Sequence, residues 1–238
     1  MKIVDIKASA HHIDVAIPLF DKPVITRKIV HCEVHADSGI VGYGLTGGQF
    51  LPHSVVVALQ NEFLDTVRGL DPRNVEMIHE KVWWDLNQRS MTGVVSLALS
   101  ALDIACWDIR GKTEGRTVAE LLGGCRDWAP IYVTFGFPRY DLDQLVEAAT
   151  LQVNKGVKRL KMVVGVHEGG WQEDARRVSA VREAIGSDIE LMIDANYKFS
   201  PVDAKQLCRA IEDCNLTWFE EPLYANDPKA LAELRRET

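Results

Sequence analysis

Two acidic residues each end a short apolar run of the chain. Asp194 follows residues 189–193, and Glu220 follows residues 217–219. The β-branched and aromatic residues of these runs predict buried strands. A helical pattern lies between them, so we expect parallel neighbours whose carboxyl ends meet at one rim of a sheet. Two carboxylates at that rim would repel each other unless a cation joins them, and their hard oxygen atoms suit Mg²⁺.

A lysine is predicted at the same rim, one strand upstream. Alternation along residues 159–164 puts Lys161 and Val163 on one face of the strand and Leu160 and Met162 on the other. A lysine beside a pair of metal-binding carboxylates suits removal of a proton next to a substrate carboxylate, because the metal stabilises the negative charge that forms. The competing interpretations are a helix-capping role for Asp194 and a surface role for Lys161.

The composition excludes several classes of protein. The net charge of −7 and the pI near 5.5 argue against nucleic acid or an anionic membrane surface as the main partner. We find no apolar run as long as a membrane span and no start of a signal peptide. The five cysteines are odd in number and lack CxxC spacing, which is typical of reduced thiols in a cytoplasmic protein.

The first part of the chain predicts an antiparallel sheet followed by helices. Alternating runs at 2–13, 28–36 and 41–45 predict strands, and Asp37-Ser38-Gly39 predicts the hairpin turn between the last two. Helical patterns follow at 53–68, 75–87 and 93–110, and the third should end at Gly111.

After Gly123-Gly124 the pattern changes to alternating strands and helices. Strands are predicted at 131–135, 159–164, 190–194 and 217–220, and helices at 142–154, 171–185, 201–213 and from 227 onward. Such alternation is typical of a parallel sheet with crossover helices. We therefore expect an α+β domain over residues 1–128 and a βα-repeat domain over residues 129–238.

Four segments together resemble the enolase superfamily, mandelate racemase subgroup. They are ALSALDIACWDIRGK at 98–112, Lys161, DAN at 194–196 and FEEP at 219–222. The resemblance implies a capping domain followed by a modified (β/α)7β barrel. It also implies that Asp194 and Glu220 are the first two Mg²⁺ ligands and that Asn196 lies close to the substrate. For Glu221 a neighbouring or loop carboxylate is the favoured interpretation, and a ligand role is the alternative.

One departure from the family pattern bears on the base. Lysine-using members carry Lys-x-Lys on this strand, and the second lysine is replaced here by Val163. Lys161 matches the first lysine, which is expected to hold the substrate carboxylate or to tune the second lysine. Valine cannot move a proton, so a two-base racemase is disfavoured. We expect one-base chemistry with a His-Asp dyad from later strands, and dehydration of a sugar acid fits. His167 could supply a base, but a solvated loop histidine is the favoured interpretation.

A second departure concerns length. A complete barrel of this type needs about 250 residues, whereas 110 follow residue 128. We therefore expect that the chain is cut within its fourth crossover helix, as the first half of a barrel, and that the third metal ligand lies near residue 246. We expect an incomplete barrel to expose an apolar edge and to assemble with itself or with its missing half, so a homo-oligomer is predicted.

The loop before the first helix resembles the substrate-covering loop of the family. Gln49, Phe50 and His53 are therefore candidate substrate contacts, and ordinary loop packing is an equally weighted alternative. The predicted activity of the full-length protein is a Mg²⁺-dependent carbon–oxygen lyase acting on an aldonate or aldarate. The alternatives are a cycloisomerase or epimerase of the same superfamily, and a non-catalytic remnant that lacks the third ligand and the base.

Overall fold

The computed structural model describes residues 1–23, 25–47, 50–86 and 92–238, apart from the side chain of Asn226. The described chain forms two compact units, Met1–Asp127 and Trp128–Thr238. Within the described ranges, no helix is long and apolar enough to cross a membrane.

The N-terminal unit begins with the predicted antiparallel sheet. Its strands are β1 (Ile3–Val15), β2 (Ile25–Ala36) and β3 (Val41–Gly47), in the order β1-β2-β3. Alternate residues of β2 point into the core, where Val30, Cys32 and Val34 are fully buried. The alternation of residue types that the sequence shows along this strand therefore matches the alternation of burial in the structure.

Helices follow the sheet in this unit, and the longest of them packs against β2 and β3. They are α1 (Pro52–Ala58), α2 (Leu64–Val67), α3 (Val75–Leu86), α4 (Gly93–Glu114) and α5 (Val118–Leu121), with a π-helical turn at Leu59–Phe63 between the first two. The predicted helix at 53–68 is thus one helical stretch with a π-helical interruption.

Small residues let α4 lie directly on β3. A Cβ atom added to Gly44 would come within 1.9 Å of the Ala101 carbonyl oxygen, and one added to Gly42 within 2.1 Å of the Ala105 carbonyl oxygen. Such distances are far below van der Waals contact. Glycine is required at both positions because backbone meets backbone there.

The predicted end of α4 at Gly111 is wrong. The helix continues to Glu114 and ends at Gly115, which has the left-handed φ of 64° of a helix C-cap. Gly111 is buried within the helix, and a Cβ there would lie 2.7 Å from the Arg116 carbonyl oxygen. Gly111 is therefore needed for close packing of the chain that leaves the helix.

The C-terminal unit consists of four consecutive βα pairs, as predicted. The strands are β4 (Val133–Phe135), β5 (Arg159–Val163), β6 (Glu190–Asp194) and β7 (Phe219–Glu220), all parallel and in the order β4-β5-β6-β7. Each is followed by a helix: α6 (Leu142–Asn154), α7 (Gly170–Ile185), α8 (Pro201–Ala210) and α9 (Pro228–Glu237). The two outer strands are shorter than their apolar runs.

Local sequence signals begin three of these helices. Asp141 caps α6 in a reciprocal capping box with Gln144, and Ser200 and Asp227 accept hydrogen bonds from the first turns of α8 and α9. The starts of these helices are therefore fixed by local sequence. The polar residues between each strand and its helix lie at one rim of the sheet.

Candidate active site

The register of the parallel sheet brings Asp194 and Glu220 together. Asp194 pairs with Glu220 across β6 and β7, and Val163 pairs with Asp194 across β5 and β6. The ladder continues past the strands, because the Ala195 amide donates to the Glu220 carbonyl at 3.1 Å. The two acidic side chains therefore occupy the same row at the carboxyl ends of neighbouring strands.

Lys161 lies two residues before this row on β5, and its side chain extends to the two carboxylates. Its Nζ lies 3.0 Å from Asp194 Oδ2 and 2.8 Å from Glu220 Oε2. The lysine side chain is only 8% exposed. Burial by itself lowers the pKa of Lys161, but hydrogen bonds to both carboxylates and the charge of Asp194 outweigh it, so the pKa is raised. Lys161 is therefore an ammonium ion held between two carboxylates.

Asn196 fixes the orientation of the Asp194 carboxylate. The backbone amide of Asn196 donates to Asp194 Oδ1 at 3.0 Å, and its side-chain Nδ2 donates to the same oxygen at 2.9 Å. Oδ1 is thus held by the following loop, while Oδ2 faces Lys161. Asn196, the candidate substrate contact, therefore binds the Asp194 carboxylate through both its backbone and its side-chain amide.

Two aromatic side chains that the sequence interpretation missed border this cluster. Trp218 Nε1 donates to Glu220 Oε2 at 3.2 Å, and Lys161 Nζ lies 5.1 Å from the ring centroid of Tyr132. The two rings meet edge to face at 5.6 Å between centroids. The alternation of side-chain direction could have identified Trp218 from the sequence. Trp218 lies two residues before Glu220, so the two side chains point to the same face.

Three residues close to the ends of β6 and β7 have left-handed backbone. These are Asn196, Tyr197 and Glu221, with φ values of 49°, 64° and 46°. This conformation costs about 1–2 kcal/mol for a residue with a side chain. The Tyr197 hydroxyl donates a short hydrogen bond to Glu221 Oε1. The carboxylate of Glu221 is thereby engaged by the neighbouring loop.

The candidates from the N-terminal unit are placed differently. Gln49 lies outside the described residues. His53 is not in a loop, because Pro52 begins α1 and His53 belongs to its first turn, where the side chain is exposed. It borders a cavity of about 550 Å³ together with Val57 and Phe63. Phe50 is 89% exposed.

His167 lies in the loop after β5, as predicted, but it is not fully solvated. Its Nε2 is buried and, within the described part of the chain, has no hydrogen-bond partner. Burial, and then the charge of Arg177, lower the pKa of His167. The nearby Asp174 carboxylate accepts the Gly165 amide at 3.0 Å and thereby ties α7 to the loop after β5.

The donor set at the rim fits Mg²⁺. Two carboxylates converge on one positive charge, the Lys161 ammonium, and hard carboxylate oxygens are the ligands this ion prefers. Among the described residues, no third acidic, histidine or cysteine side chain completes a group able to hold a metal ion. Mg²⁺ is commonly held by one or two carboxylates and several waters. Asp194 and Glu220 are therefore the residues that would bind it.

Sequence profiles of two domains match the chain. The profile described as the mandelate racemase / muconate lactonizing enzyme N-terminal domain matches residues 4–123, and the one described as enolase C-terminal domain-like matches residues 144–238. These matches confirm the predicted fold class, an α+β capping domain followed by part of an enolase-type barrel.

Proteins of known activity are similar over most of the chain. L-talarate/galactarate dehydratase of Salmonella typhimurium LT2 is 32% identical over an alignment that covers 96% of the chain and 59% of that protein. D-galactarolactone cycloisomerase of Agrobacterium fabrum is 35% identical, with 88% of the chain and 55% of that protein covered. The chain thus spans little more than half the length of these curated relatives.

Solved structures show the same similarity. The crystal structure of the Salmonella dehydratase liganded with Mg and L-lyxarohydroxamate has a TM-score of 0.84 and 31% identity, covering 99% of the chain and 62% of that structure. The dipeptide epimerase of Enterococcus faecalis V583, complexed with Mg and L-Leu-L-Tyr, has a TM-score of 0.84 and 28% identity, covering 100% of the chain and 66% of that structure.

Proposed function

The chain belongs to the mandelate racemase / muconate lactonizing enzyme family of the enolase superfamily, and from this we propose that it forms the Mg²⁺- and carboxylate-binding part of an acid-sugar dehydratase. One observation carries the proposal. Asp194 and Glu220 are register partners at the ends of adjacent parallel strands, and both converge on one buried ammonium ion. The Mg-liganded dehydratase relative supports the choice of metal.

Asp194 and Glu220 would hold the metal ion. Asn196 keeps one oxygen of Asp194 fixed, and the Trp218 indole N–H holds Glu220, so both carboxylates are oriented by neighbours before any cation arrives. When bound, Mg²⁺ supplies positive charge that stabilises the negative charge developing on the substrate carboxylate as its α-proton leaves.

Lys161 would bind the same substrate carboxylate as a cation. Its raised pKa keeps the side chain protonated at neutral pH, so it attracts an anion and cannot accept a proton. Val163, in the row of Asp194, is unable to act as a base. The α-proton would then pass to a base on the opposite side of the substrate. The β-hydroxyl would take one proton from an acid and leave as water, and the resulting enol would tautomerise to a 2-keto-3-deoxy acid.

The experiment is a screen of aldonic and aldaric acids with Mg²⁺, in which formation of the keto acid is followed by NMR. In the full-length protein of which this chain would form the Mg²⁺-binding part, we expect one or more acids to be dehydrated, and activity to be lost in Asp194→Asn and Lys161→Met. The exposed residues Asp213 and Lys155 provide matched controls, Asp213→Asn and Lys155→Met, which should retain activity. Dehydration that survives Asp194→Asn would refute the assignment of this site.

A cycloisomerase is the second candidate, because the Agrobacterium cycloisomerase is 35% identical to the chain. Both reactions begin with loss of a proton next to a carboxylate, so the same residues would serve. The two activities are distinguished by their products. A cycloisomerase converts a lactone into an isomer of equal mass, whereas a dehydratase product is lighter by one water. Mass spectrometry of reactions with galactarate and its lactone decides between them.

A further inference from the structure

Tyr197 and Glu221 are joined by two hydrogen bonds. The Tyr197 amide donates to the Glu221 carbonyl oxygen at 2.8 Å, and the Tyr197 hydroxyl donates to Glu221 Oε1. One bond is backbone to backbone and the other is side chain to side chain. The pair therefore connects the loop after β6 to the loop after β7 at two points.

The position of this pair in the chain is specific. Glu221 directly follows Glu220, and Tyr197 lies three residues after Asp194, so each member belongs to a loop that begins with one candidate metal ligand. Both members have left-handed backbone, which residues with side chains rarely adopt. Such conformations persist only where the surroundings hold them, and here each residue is held by the other.

We propose that Tyr197 is a positioning residue, whose hydroxyl, by holding Glu221, sets the spacing of Asp194 and Glu220 and thereby strengthens binding of a divalent cation. This inference rests on the proposed function. The hydroxyl acts on Glu221 and touches neither ligand, so its effect is on geometry. A second backbone bond between the loops, from the Phe199 amide to the Pro222 carbonyl at 3.2 Å, keeps them side by side without the hydroxyl.

The test is calorimetric titration with Mg²⁺ alone, on the unchanged protein and on Tyr197→Phe. Loss of a partner that orients a metal ligand commonly weakens metal affinity by about 10- to 100-fold. Because Tyr197 is 40% exposed, we expect the lower end, about tenfold. Tyr224→Phe is the matched control, since this tyrosine is 79% exposed and no described residue bonds to its hydroxyl. Circular dichroism and thermal melting establish that each variant is folded.

Substitutions of Glu221 separate the hydrogen bond from the charge. Glu221→Gln and Glu221→Ala both remove the negative charge, but glutamine keeps an oxygen that can accept from Tyr197. We expect the alanine variant to bind Mg²⁺ about fivefold more weakly than the glutamine variant, as loss of a single hydrogen bond predicts. Adding Tyr197→Phe to Glu221→Ala should cause no further loss, a result that a general packing role would not give.

The outcomes are distinct. If the unchanged protein binds Mg²⁺ and Tyr197→Phe binds it equally well, the positioning role is refuted while the proposed metal site stands. If the unchanged protein and the Tyr224→Phe control both fail to bind Mg²⁺, the proposed function fails and the positioning role with it. Tenfold weaker binding in Tyr197→Phe alone supports both.

Discussion

Replacement of Asp174 by asparagine is predicted to remove a pH dependence of stability. Asp174 is 1% exposed, one oxygen accepts the Gly165 amide, and no described residue bonds to the other oxygen. Burial raises the pKa of this carboxyl from 3.8 to about 6, although the Gly165 hydrogen bond and the charge of Arg177 oppose the shift. The ionised carboxylate is therefore less favourable in the folded protein than in the unfolded chain.

The sign and size of the effect follow from proton linkage. Between pH 4 and 6 the folded protein binds more protons at Asp174 than the unfolded chain does, so the free energy of unfolding falls as pH rises. The gap between 3.8 and about 6 corresponds to about 3 kcal/mol. Asparagine keeps an acceptor for Gly165 but leaves its NH₂ group without a described partner, which costs about 1 kcal/mol. We expect Asp174→Asn to be more stable at pH 7.5 by about 2 kcal/mol.

The assay is urea unfolding of both proteins from pH 4 to 7.5, with the two unfolding curves compared at each pH. The difference between the proteins isolates Asp174, because the other titrating groups contribute to both, including Glu173 nearby. The stability of the asparagine variant relative to the unchanged protein should rise by about 2.4 kcal/mol between pH 4 and 7. Parallel stability profiles for the two proteins across this range would refute the reasoning. Asp213→Asn, at an exposed position, is a suitable control.

Two further substitutions test the packing and the charge cluster. Lys161→Met leaves the carboxylates of Asp194 and Glu220 without their cation, and we expect the free energy of unfolding to fall by about 2 kcal/mol, less than the 3–5 kcal/mol of a fully buried pair because Glu220 is 34% exposed. Millimolar Mg²⁺ should restore part of the melting temperature that Lys161→Met loses. If Lys161→Met without Mg²⁺ melts at the same temperature as the unchanged protein, the stabilising role of Lys161 is contradicted. Gly44→Ala places a Cβ 1.9 Å from the Ala101 carbonyl oxygen and should cost about 3 kcal/mol or prevent folding, whereas Gly47→Ala meets no described atom within 4 Å. Equal melting temperatures for these two glycine variants would show that the close approach of α4 to β3 is misjudged.

The rim residues were predictable because two simple periodicities determine them. The side-chain period of two fixes which face of β5 carries Lys161, and equal phase of parallel neighbours brings Asp194 beside Glu220. Neither requires knowledge of distant parts of the chain. The order of the four strands was also predictable, because strands joined by short βα connections are usually neighbours in the sheet.

The residues that sequence reasoning missed depend on longer-range geometry. Gly111 and Gly115 are both plausible helix ends, and only the path of the following chain shows that Gly111 serves a close approach to Arg116. Tyr197 has a backbone conformation that bulky residues rarely adopt, so its bond to Glu221 had no local signal. The edge-to-face contact of Tyr132 and Trp218 joins the first and last strands of the sheet, which no local pattern encodes.

Binding of Mn²⁺, followed by electron paramagnetic resonance of the free ion, tests most directly whether Asp194 and Glu220 form a metal site. The unchanged protein and the Asp213→Asn control should each bind one Mn²⁺ that Mg²⁺ displaces, and Asp194→Asn and Glu220→Gln should each weaken binding by tenfold or more, about 1.4 kcal/mol. Equal Mn²⁺ affinity in all four proteins, or no binding in any of them, would contradict the assignment of the metal to these two carboxylates.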